Sequence, residues 1–304
     1  MLILYLTDLH IKISTFSLID TLIQFLSDWF KTHVVSYIVI GGDTLDTHER
    51  VCVHALNKAC QLLQFLQQFG KVYILVGNHD YINNSQFLTN KHWLNVLKEW
   101  PSIIVVDHVI YNDGILFVPY VPVGRFAEAV ATVGSLTPQL IFAHQEFKGC
   151  QLGHILSTQG DVWTGSKVIS GHIHKPHNVG TNIIYPGASI CHSTASLSLG
   201  PCCVTPNGEI NYLGFKTSQS STLLIAPIFS PNEIPQDSKV NLCGTKIDIA
   251  MCKGNPQLKP FLKNIKINLF PSALHGVSWE NYIVQNLKTK IMKDDWEEIS
   301  KFNL

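Results

Sequence analysis

Short runs of branched and aromatic residues alternate along the chain with longer segments in which apolar residues recur at helical spacing. The helical spacing predicts helices over Phe16–Phe30, Val51–Phe69 and Gly124–Val133. The short runs predict strands at Leu2–Leu6, Val34–Ile40, Val72–Val76, Ile103–Val106, Ile115–Val118, Leu140–Ala143, Val168–Ile169 and Ile183–Tyr185. Strands that alternate with helices in this way are typical of a layered α/β fold.

The pattern changes after about residue 215. A Ser/Thr-rich stretch is followed by the Pro-containing segment 230–235, which indicates a linker. Before this linker the sequence predicts a strand at Leu223–Ile228. After it the sequence predicts a small α+β unit, with strands at Val240–Ile249 and Ile265–Leu269 and a helix at Pro256–Leu262, followed by a helix from about Trp279 to Lys301. We therefore predict one large domain over residues 1–229 and a small region over residues 230–304.

Composition restricts the function classes. The 304 residues are 46% hydrophobic and 14% charged, which is the opposite of the disordered signature. Lys and Arg number 22 against 22 Asp and Glu, so a polyanion would have to be held by a local patch or by bound metal. The balance is uneven along the chain, because residues 1–215 hold 11 Lys and Arg against 14 Asp and Glu, and residues 216–304 hold 11 against 8.

The first apolar run, Leu2–Leu6, is only five residues long, which is too short for a signal peptide or a membrane span. The eight cysteines form no C-x-x-C pair, so the sequence predicts reduced thiols and no sulfur-bound metal. We expect a soluble, intracellular protein of the cytoplasm or nucleus, without a membrane partner.

Five polar clusters stand out, and each follows a predicted strand. They are Asp8-Leu9-His10, Gly41-Gly42-Asp43-Thr44-Leu45-Asp46, Gly77-Asn78-His79-Asp80, Ala143-His144 and Gly171-His172-Ile173-His174. In an open α/β sheet, ligands bind at the carboxyl ends of the strands, so we expect the clusters to converge on one crevice. A glycine precedes the candidate ligand in three of them, as expected where the backbone turns sharply or approaches an ion.

The residue types of these clusters point to metal. Carboxylate, imidazole and amide donors together suit a cation such as Mn²⁺, Fe²⁺ or Zn²⁺. The donors are too many for one ion, and they are Asp8, His10, Asp43, Asn78, His144, His172 and His174. Two ions about 3.5–4 Å apart that share one carboxylate would use all seven. We expect Asp46 to hydrogen-bond a ligand instead of binding metal itself.

The ordered set D-x-H, G-D-x-x-D, G-N-H-D, H and G-H-x-H resembles the calcineurin-like metallophosphoesterase superfamily over residues 8–174. The resemblance implies a four-layer fold, with two facing sheets flanked by helices and a small C-terminal α+β cap. It implies that one ion is bound by Asp8, His10, Asp43 and His174, and the other by Asp43, Asn78, His144 and His172. It also implies that His79 meets the phosphate or protonates the leaving oxygen, and that Asp80 orients His79.

Within the superfamily the chain differs from the protein phosphatases, which continue their second motif with Arg-Gly where this chain has Thr47-His48. Its motifs, followed by Tyr185–Ser189, resemble SbcD-type nuclease subunits of the double-strand-break repair complex. That resemblance implies a catalytic domain over residues 1–229 and a capping and partner-binding region over 230–304. It implies an exonuclease or endonuclease on DNA with two Mn²⁺ ions, with Fe²⁺, Zn²⁺ or Mg²⁺ as alternatives. An SbcC-type coiled-coil ATPase and a second copy of the chain are the implied protein partners.

Two other functions fit the same residues. A stand-alone phosphoesterase acting on nucleotides or other small phosphate esters would share every motif. A non-catalytic module that binds DNA ends or a partner is the third candidate, and the complete ligand set argues against it. The histidines outside the motifs, His48 and His192 among them, are expected to be structural, because a single histidine is more often hydrogen-bonded than a ligand.

Overall fold

A computed structural model of the chain describes residues 1–48, 50–153, 155–192 and 198–215, together with three strands at 221–225, 239–244 and 265–269. The chain forms two compact units, Met1–Ser218 and Gln219–Leu304. The domain boundary between residues 229 and 230 stays a prediction.

Among its described residues, the first unit contains fourteen strands. They are β1 (Ile3–Leu6), β2 (Tyr37–Ile40), β3 (Lys71–Leu75), β4 (Ile103–Val106), β5 (Ile110–Asn112), β6 (Ile115–Val118), β7 (Leu140–His144), β8 (Gln151–Leu152), β9 (Ile155–Leu156), β10 (Lys167–Gly171), β11 (His177–Val179), β12 (Ile183–Tyr185), β13 (Cys202–Val204) and β14 (Ile210–Tyr212). Six of these form one sheet in the order β14-β13-β1-β2-β3-β4, and six form a second sheet in the order β11-β12-β10-β7-β6-β5. A hairpin of β8 and β9 stands apart from both sheets.

The central strands of both sheets are parallel. Strands β1 to β4 pair in parallel in the first sheet, and β6, β7, β10 and β12 do so in the second. The antiparallel pairings lie at the outer strands, where β13 joins β1 and β5 joins β6. Parallel strands end at the same edge of their sheet, so the loops that follow β1, β2 and β3 are neighbours, as are those that follow β7 and β10.

Helix α1 spans Phe16–Phe30, as predicted, and buries Ile19, Leu22, Leu26 and Phe30 along one stripe. Helix α2 spans Val53–Leu66 and is shorter than predicted at both ends. It begins late because Cys52, the residue before it, has an extended backbone. Helix α3 is a short segment at Phe126–Ala131. In the part of the chain that the structure describes, no helix is both long and apolar enough to cross a lipid bilayer.

Three apolar clusters separate the layers of the first unit. One packs α1 and α2 against the first sheet, with Leu22 and Leu63 among its buried members. The second lies between the two sheets and includes Tyr73, Phe117 and Phe142, and the third covers the far face of the second sheet with α3 and its surrounding loops. Two facing sheets with apolar layers between and outside them confirm the predicted α/β core.

The second unit contains a parallel three-stranded sheet in the order β15-β16-β17, formed by β15 (Ser221–Ile225), β16 (Lys239–Gly244) and β17 (Ile265–Leu269). These strands overlap the ones predicted at Leu223–Ile228, Val240–Ile249 and Ile265–Leu269. The helices predicted at Pro256–Leu262 and Trp279–Lys301 lie outside the described residues, so the capping region stays a prediction.

Replacing Phe117 with alanine tests the packing between the sheets. The Phe117 ring is fully buried and stacks on Tyr73 at 4.2 Å between ring centroids. We expect Phe117→Ala to lower the free energy of unfolding by about 3–5 kcal/mol, because the side chain leaves a cavity between two rigid layers. Urea unfolding would measure the loss, with Tyr111→Ala on the neighbouring strand β5, 40% exposed, as the aromatic control. Equal urea midpoints of unfolding for the two variants would contradict the conclusion that Phe117 stabilises the packing between the sheets.

Candidate metal centre

The predicted ligands lie on loops that follow the parallel strands of both sheets. Asp8 follows β1, Asp43 follows β2, and Asn78 follows β3, whereas His144 is the last residue of β7 and His172 comes directly after β10. The main-chain N–H of His172 donates to the Asp8 carboxylate at 3.1 and 3.2 Å, which ties the second sheet to the first. All five clusters therefore meet in one place, as the sequence led us to expect.

The backbone at the site has unusual torsion angles. Six non-glycine residues in the described chain have a positive φ, and four of them are predicted ligands: Asp8 at 52°, His10 at 39°, Asp43 at 51° and His172 at 80°. This conformation costs an L-residue roughly 1–2 kcal/mol. Strained torsions are retained where the surrounding structure enforces them, and such positions concentrate at functional sites.

Glycines make room for the ligands. A Cβ atom at Gly42, which has a φ of +100°, would collide with the His144 ring, and one at Gly77 would collide with the backbone and carboxylate of Asp43. The loops after β2 and β3 therefore pass so close to the ligands that only glycine fits at these two positions.

One donor group contains Asp8, His10, Asp43 and His174. The Nε2 atoms of His10 and His174 face each other at 3.1 Å. Asp43 Oδ2 is 3.5 Å from His10 Nε2, and Asp8 Oδ1 is 3.7 Å from His174 Nε2. Burial lowers the pKa of His174, so this imidazole tends to be neutral and to present a free nitrogen lone pair.

The other donor group contains Asp43, Asn78, His144 and His172. The Asn78 amide oxygen lies 3.1 Å from His144 Nε2 and 2.8 Å from His172 Nδ1. His144 Nε2 is also 3.3 Å from Asp43 Oδ1. Asp43 is thus the member that both groups share, which is the geometry expected of a bridging carboxylate.

The tautomer of His144 shows that this donor group needs a positive charge between its atoms. Its Nδ1 lies 2.6 Å from the Gly41 carbonyl oxygen, which can only accept, so Nδ1 carries a proton and the neutral ring turns its Nε2 lone pair toward two oxygens. Burial lowers the pKa of His144, but the carboxylates of Asp43 and Asp8 raise it to about 9. The site therefore calls for a positive charge between these atoms, which either a proton or a metal cation can supply.

The carboxylate, imidazole and amide donors of the site fit divalent metal. The ligand atoms of Asp43, His144 and His172 all lie within 4.8 Å of one another, and so do those of His10, Asp43 and His79. His10 Nδ1 is buried and makes no hydrogen bond. Burial lowers the pKa of His172 to about 4, so its imidazole stays neutral as a ligand must.

His79 is held by the main chain. Its Nδ1 donates to the carbonyl oxygen of Asp46 at 2.9 Å, which leaves Nε2 available for a substrate or a proton. Its main-chain N–H donates to Asp43 Oδ1 at 2.9 Å, and its ring stacks on His48 with the centroids 4.4 Å apart. Burial lowers the pKa of His79, and an anionic phosphoester close to the ring would raise it again.

Asp80 was expected to orient His79, but its carboxylate contacts other groups. Its carboxylate accepts from the main-chain N–H groups of Thr44, Leu45 and Gly77 at 3.0–3.3 Å and from the Trp93 indole at 2.9 Å. Burial and the nearby Asp43 raise its pKa to about 6. Asp80 therefore joins the loops after β2 and β3, and the group that orients the His79 ring is the Asp46 carbonyl.

Asp46 lies beside the first donor group. Its Oδ1 is 3.5 Å from His10 Nδ1 and accepts from Lys12 Nζ at 2.9 Å. The imidazole of His10 and the ammonium group of Lys12, which lie beside it, lower the pKa of Asp46, so the side chain stays ionised. These contacts fit the expectation that Asp46 supports a ligand.

Two histidines that were expected to be structural also lie at the site. His48 stacks on His79, as described above, and His192 lies with its ring centroid 5.0 Å from those of His10 and His174. Burial and the nearby His10 lower the pKa of His192 to about 4. The sequence offered little indication that either histidine lies at the site, because neither stands in one of the five motifs and His192 belongs to a Ser-rich stretch.

Residues 1–176 match the family model described as calcineurin-like phosphoesterase, which covers more than half of the chain, so the chain belongs to that family. The family explains the histidine and aspartate donors that meet at the site. It confirms that the protein is a phosphoesterase of the metal-dependent class.

Two viral proteins and one solved structure are among those similar to the chain. "Putative phosphoesterase 244L" of Invertebrate iridescent virus 6 is 44% identical over 200 residues, which are 63% of this chain and 71% of that protein. "Putative phosphoesterase 078R" of Invertebrate iridescent virus 3 is 39% identical over 201 residues, and the chain spans 58% of its length. The crystal structure of Pseudomonas putida nuclease MPE aligns with 67% of this chain and 84% of its own, at 15% identity and a TM-score of 0.32.

The glycine at position 42 offers a test of how the ligands are positioned. Gly42→Ala places a Cβ against the His144 ring, so we expect the affinity for Mn²⁺ to fall by about 10–100-fold, the loss typical when a ligand is no longer held in orientation. Isothermal titration calorimetry would measure it. Gly124→Ala is the control, because Gly124 has a similar φ of +87° but nothing within 4 Å of its Cβ position. Equal affinities in the two variants would show that Gly42 does not position His144.

Proposed function

We propose that the chain is a metal-dependent phosphodiester hydrolase that cleaves DNA, in the manner of the SbcD-type nucleases that its motifs resemble. The observation that carries this proposal is the pair of donor groups joined by Asp43, with His79 beside them. The chemistry that two divalent cations supply to such a reaction is activation of water and neutralisation of the phosphoryl charge.

The side chains of the site divide the remaining work. In hydrolysis a water oxygen bonds to phosphorus, the bond to the leaving oxygen breaks, and the leaving oxygen takes up a proton. His79 Nε2 is the group that would hold this proton, because Nδ1 is fixed on the Asp46 carbonyl and Nε2 is left available. Asp80 keeps the loops after β2 and β3 together, so that His79 stays in place beside Asp43.

The charges around the site support a phosphodiester in preference to a phosphomonoester. Among the described residues, Lys12 is the one lysine or arginine that contacts a member of the site, and it is paired with Asp46 at 2.9 Å. A phosphomonoester dianion is usually held by additional Arg or Lys side chains. A diester carries a single negative charge, so the cations alone can balance it.

A cavity beside the first donor group supports a nucleotide-containing substrate. It has a volume of about 320 Å³, and Asp46, which contacts His10, forms part of its wall. The rest of the wall is mostly apolar, with Ile11, Ile13, Leu45 and Ala55 among its residues. An apolar recess next to the reacting phosphate suits the flat face of a base better than it suits a sugar or an inorganic group.

Binding of DNA along its length would need further contacts. The excess of Lys and Arg over Asp and Glu in residues 216–304 supports a role for that region in holding the phosphate backbone. DNA is therefore the partner that we propose, whereas an SbcC-type ATPase and a second copy of the chain stay predictions from the motifs.

End-labelled linear duplex DNA incubated with the protein and Mn²⁺ tests the proposal. We expect nucleotides or short oligonucleotides to be released, the release to stop with a chelator, and excess Mn²⁺ to restore it. Bis(p-nitrophenyl) phosphate and p-nitrophenyl phosphate, assayed in parallel, separate a diesterase from a monoesterase. Hydrolysis confined to these small esters would favour the stand-alone phosphoesterase, and DNA binding without any hydrolysis would favour the non-catalytic module.

His79→Ala tests the division of roles. If His79 holds the leaving-group proton, the variant should keep its bound metal while kcat falls by about 10²–10⁴-fold. Metal analysis and steady-state kinetics on the same preparation would measure both, with His33→Ala as the control, because His33 is exposed and lies just after α1. Loss of metal in His79→Ala would instead make His79 a ligand, as its distances to His10 and Asp43 allow.

A further inference from the structure

His192 lies against the first donor group. It follows the Tyr185–Ser189 segment, in a part of the chain to which the motifs assign no ligand. The ligand atoms of His10, His174 and His192 all lie within 4.8 Å of one another. Imidazole nitrogens are common metal ligands, and a cation placed between these three rings would be within reach of all of them.

The hydrogen bonds of His192 define its tautomer. Its Nε2 lies 2.5 Å from the main-chain carbonyl oxygen of Asp8. A carbonyl oxygen can only accept, so Nε2 carries the proton and the neutral ring has its lone pair on Nδ1. That Nδ1 atom is buried and has no hydrogen-bond partner.

Metal-binding histidines have this arrangement, in which one ring nitrogen donates to a carbonyl and the other binds the ion. His144 has it too, since its Nδ1 bonds the Gly41 carbonyl and its Nε2 faces Asp43. The two histidines differ in which nitrogen is left for the ion, and they lie in different donor groups.

The chain also anchors the segment that carries His192. Thr7 and Ser189 exchange two hydrogen bonds, from Thr7 N to Ser189 Oγ at 2.8 Å and from Ser189 N to the Thr7 carbonyl at 2.9 Å. Both residues are buried, and Thr7 immediately precedes Asp8. His192 is therefore fixed to the same turn that positions the first ligand.

We propose that His192 is a further metal ligand, which binds through Nδ1 the cation that His10 and His174 also bind. The inference rests on the metal centre of the proposed function, but not on DNA as the substrate. It makes this half of the centre richer in nitrogen, with three imidazoles beside the carboxylates of Asp8 and Asp43. Nitrogen donors favour Zn²⁺, Fe²⁺ and Co²⁺ over Mg²⁺, so we expect this position to select against Mg²⁺.

Metal binding by the full chain, measured without any substrate, tests the proposal. In His192→Ala we expect one of two bound ions to be weakened by at least about tenfold while the other is retained. Titration calorimetry with Zn²⁺ and with Mn²⁺ would measure the affinities, and elemental analysis the stoichiometry. The visible absorption spectrum of the Co²⁺ form should change as well, because it reports the ligands of the ion directly.

Two further variants complete the test. His192→Phe keeps the size of the ring and removes both nitrogens, so it should weaken the same ion even if the alanine variant folds poorly. His33→Ala, remote from the site, should bind both ions as the unaltered chain does. Unaltered affinities and an unaltered Co²⁺ spectrum in His192→Ala or in His192→Phe would overturn the proposal. An unaltered chain that binds two ions but leaves DNA intact would overturn the proposed nuclease function and leave the role of His192 standing.

Discussion

A buried carboxylate between two imidazoles is the constraint on which the rest of the structure depends. Asp43 is only 2% exposed, and its oxygens lie 3.5 Å from His10 Nε2 and 3.3 Å from His144 Nε2. A charge so far from water must be compensated by neighbouring cations and N–H donors. His10 follows a strand of the first sheet and His144 ends a strand of the second, so both sheets contribute to the compensation. The packing of the sheets and the chemistry of the site are therefore set by the same contacts.

Much of the core could be predicted from the sequence, because long periodic segments carry a strong signal. Helix α1 has its predicted bounds, since its apolar residues keep one helical face over fifteen residues. Strands β13 and β14 were not predicted, because each has only three residues and forms through pairing with a strand distant in sequence. A strand of this kind depends on its partner more than on its own composition.

At the candidate site, too, some features could be predicted from the sequence and others could not. The seven predicted ligands come together because each lies at or soon after the carboxyl end of a strand, and this placement could be inferred from the alternating strands and helices. The hydrogen bond that holds His79 could not be predicted, since every residue has a main-chain carbonyl and the sequence does not indicate that the one at Asp46 is the acceptor. His192 was missed for a related reason: it reaches the site through the hydrogen bonds between Thr7 and Ser189, which join residues 182 positions apart.

The aromatic layer between the sheets reaches directly beneath the ligand loops. Tyr5 packs on Phe142 with the centroids 5.4 Å apart, and its hydroxyl lies so close to Gly41 that any side chain there would collide with it. The thickness of this layer thus sets how far the loops of one sheet stand from those of the other. Evolution could therefore retune the preferred cation by exchanging residues in the core, and two descendants with identical ligands could come to depend on different metals.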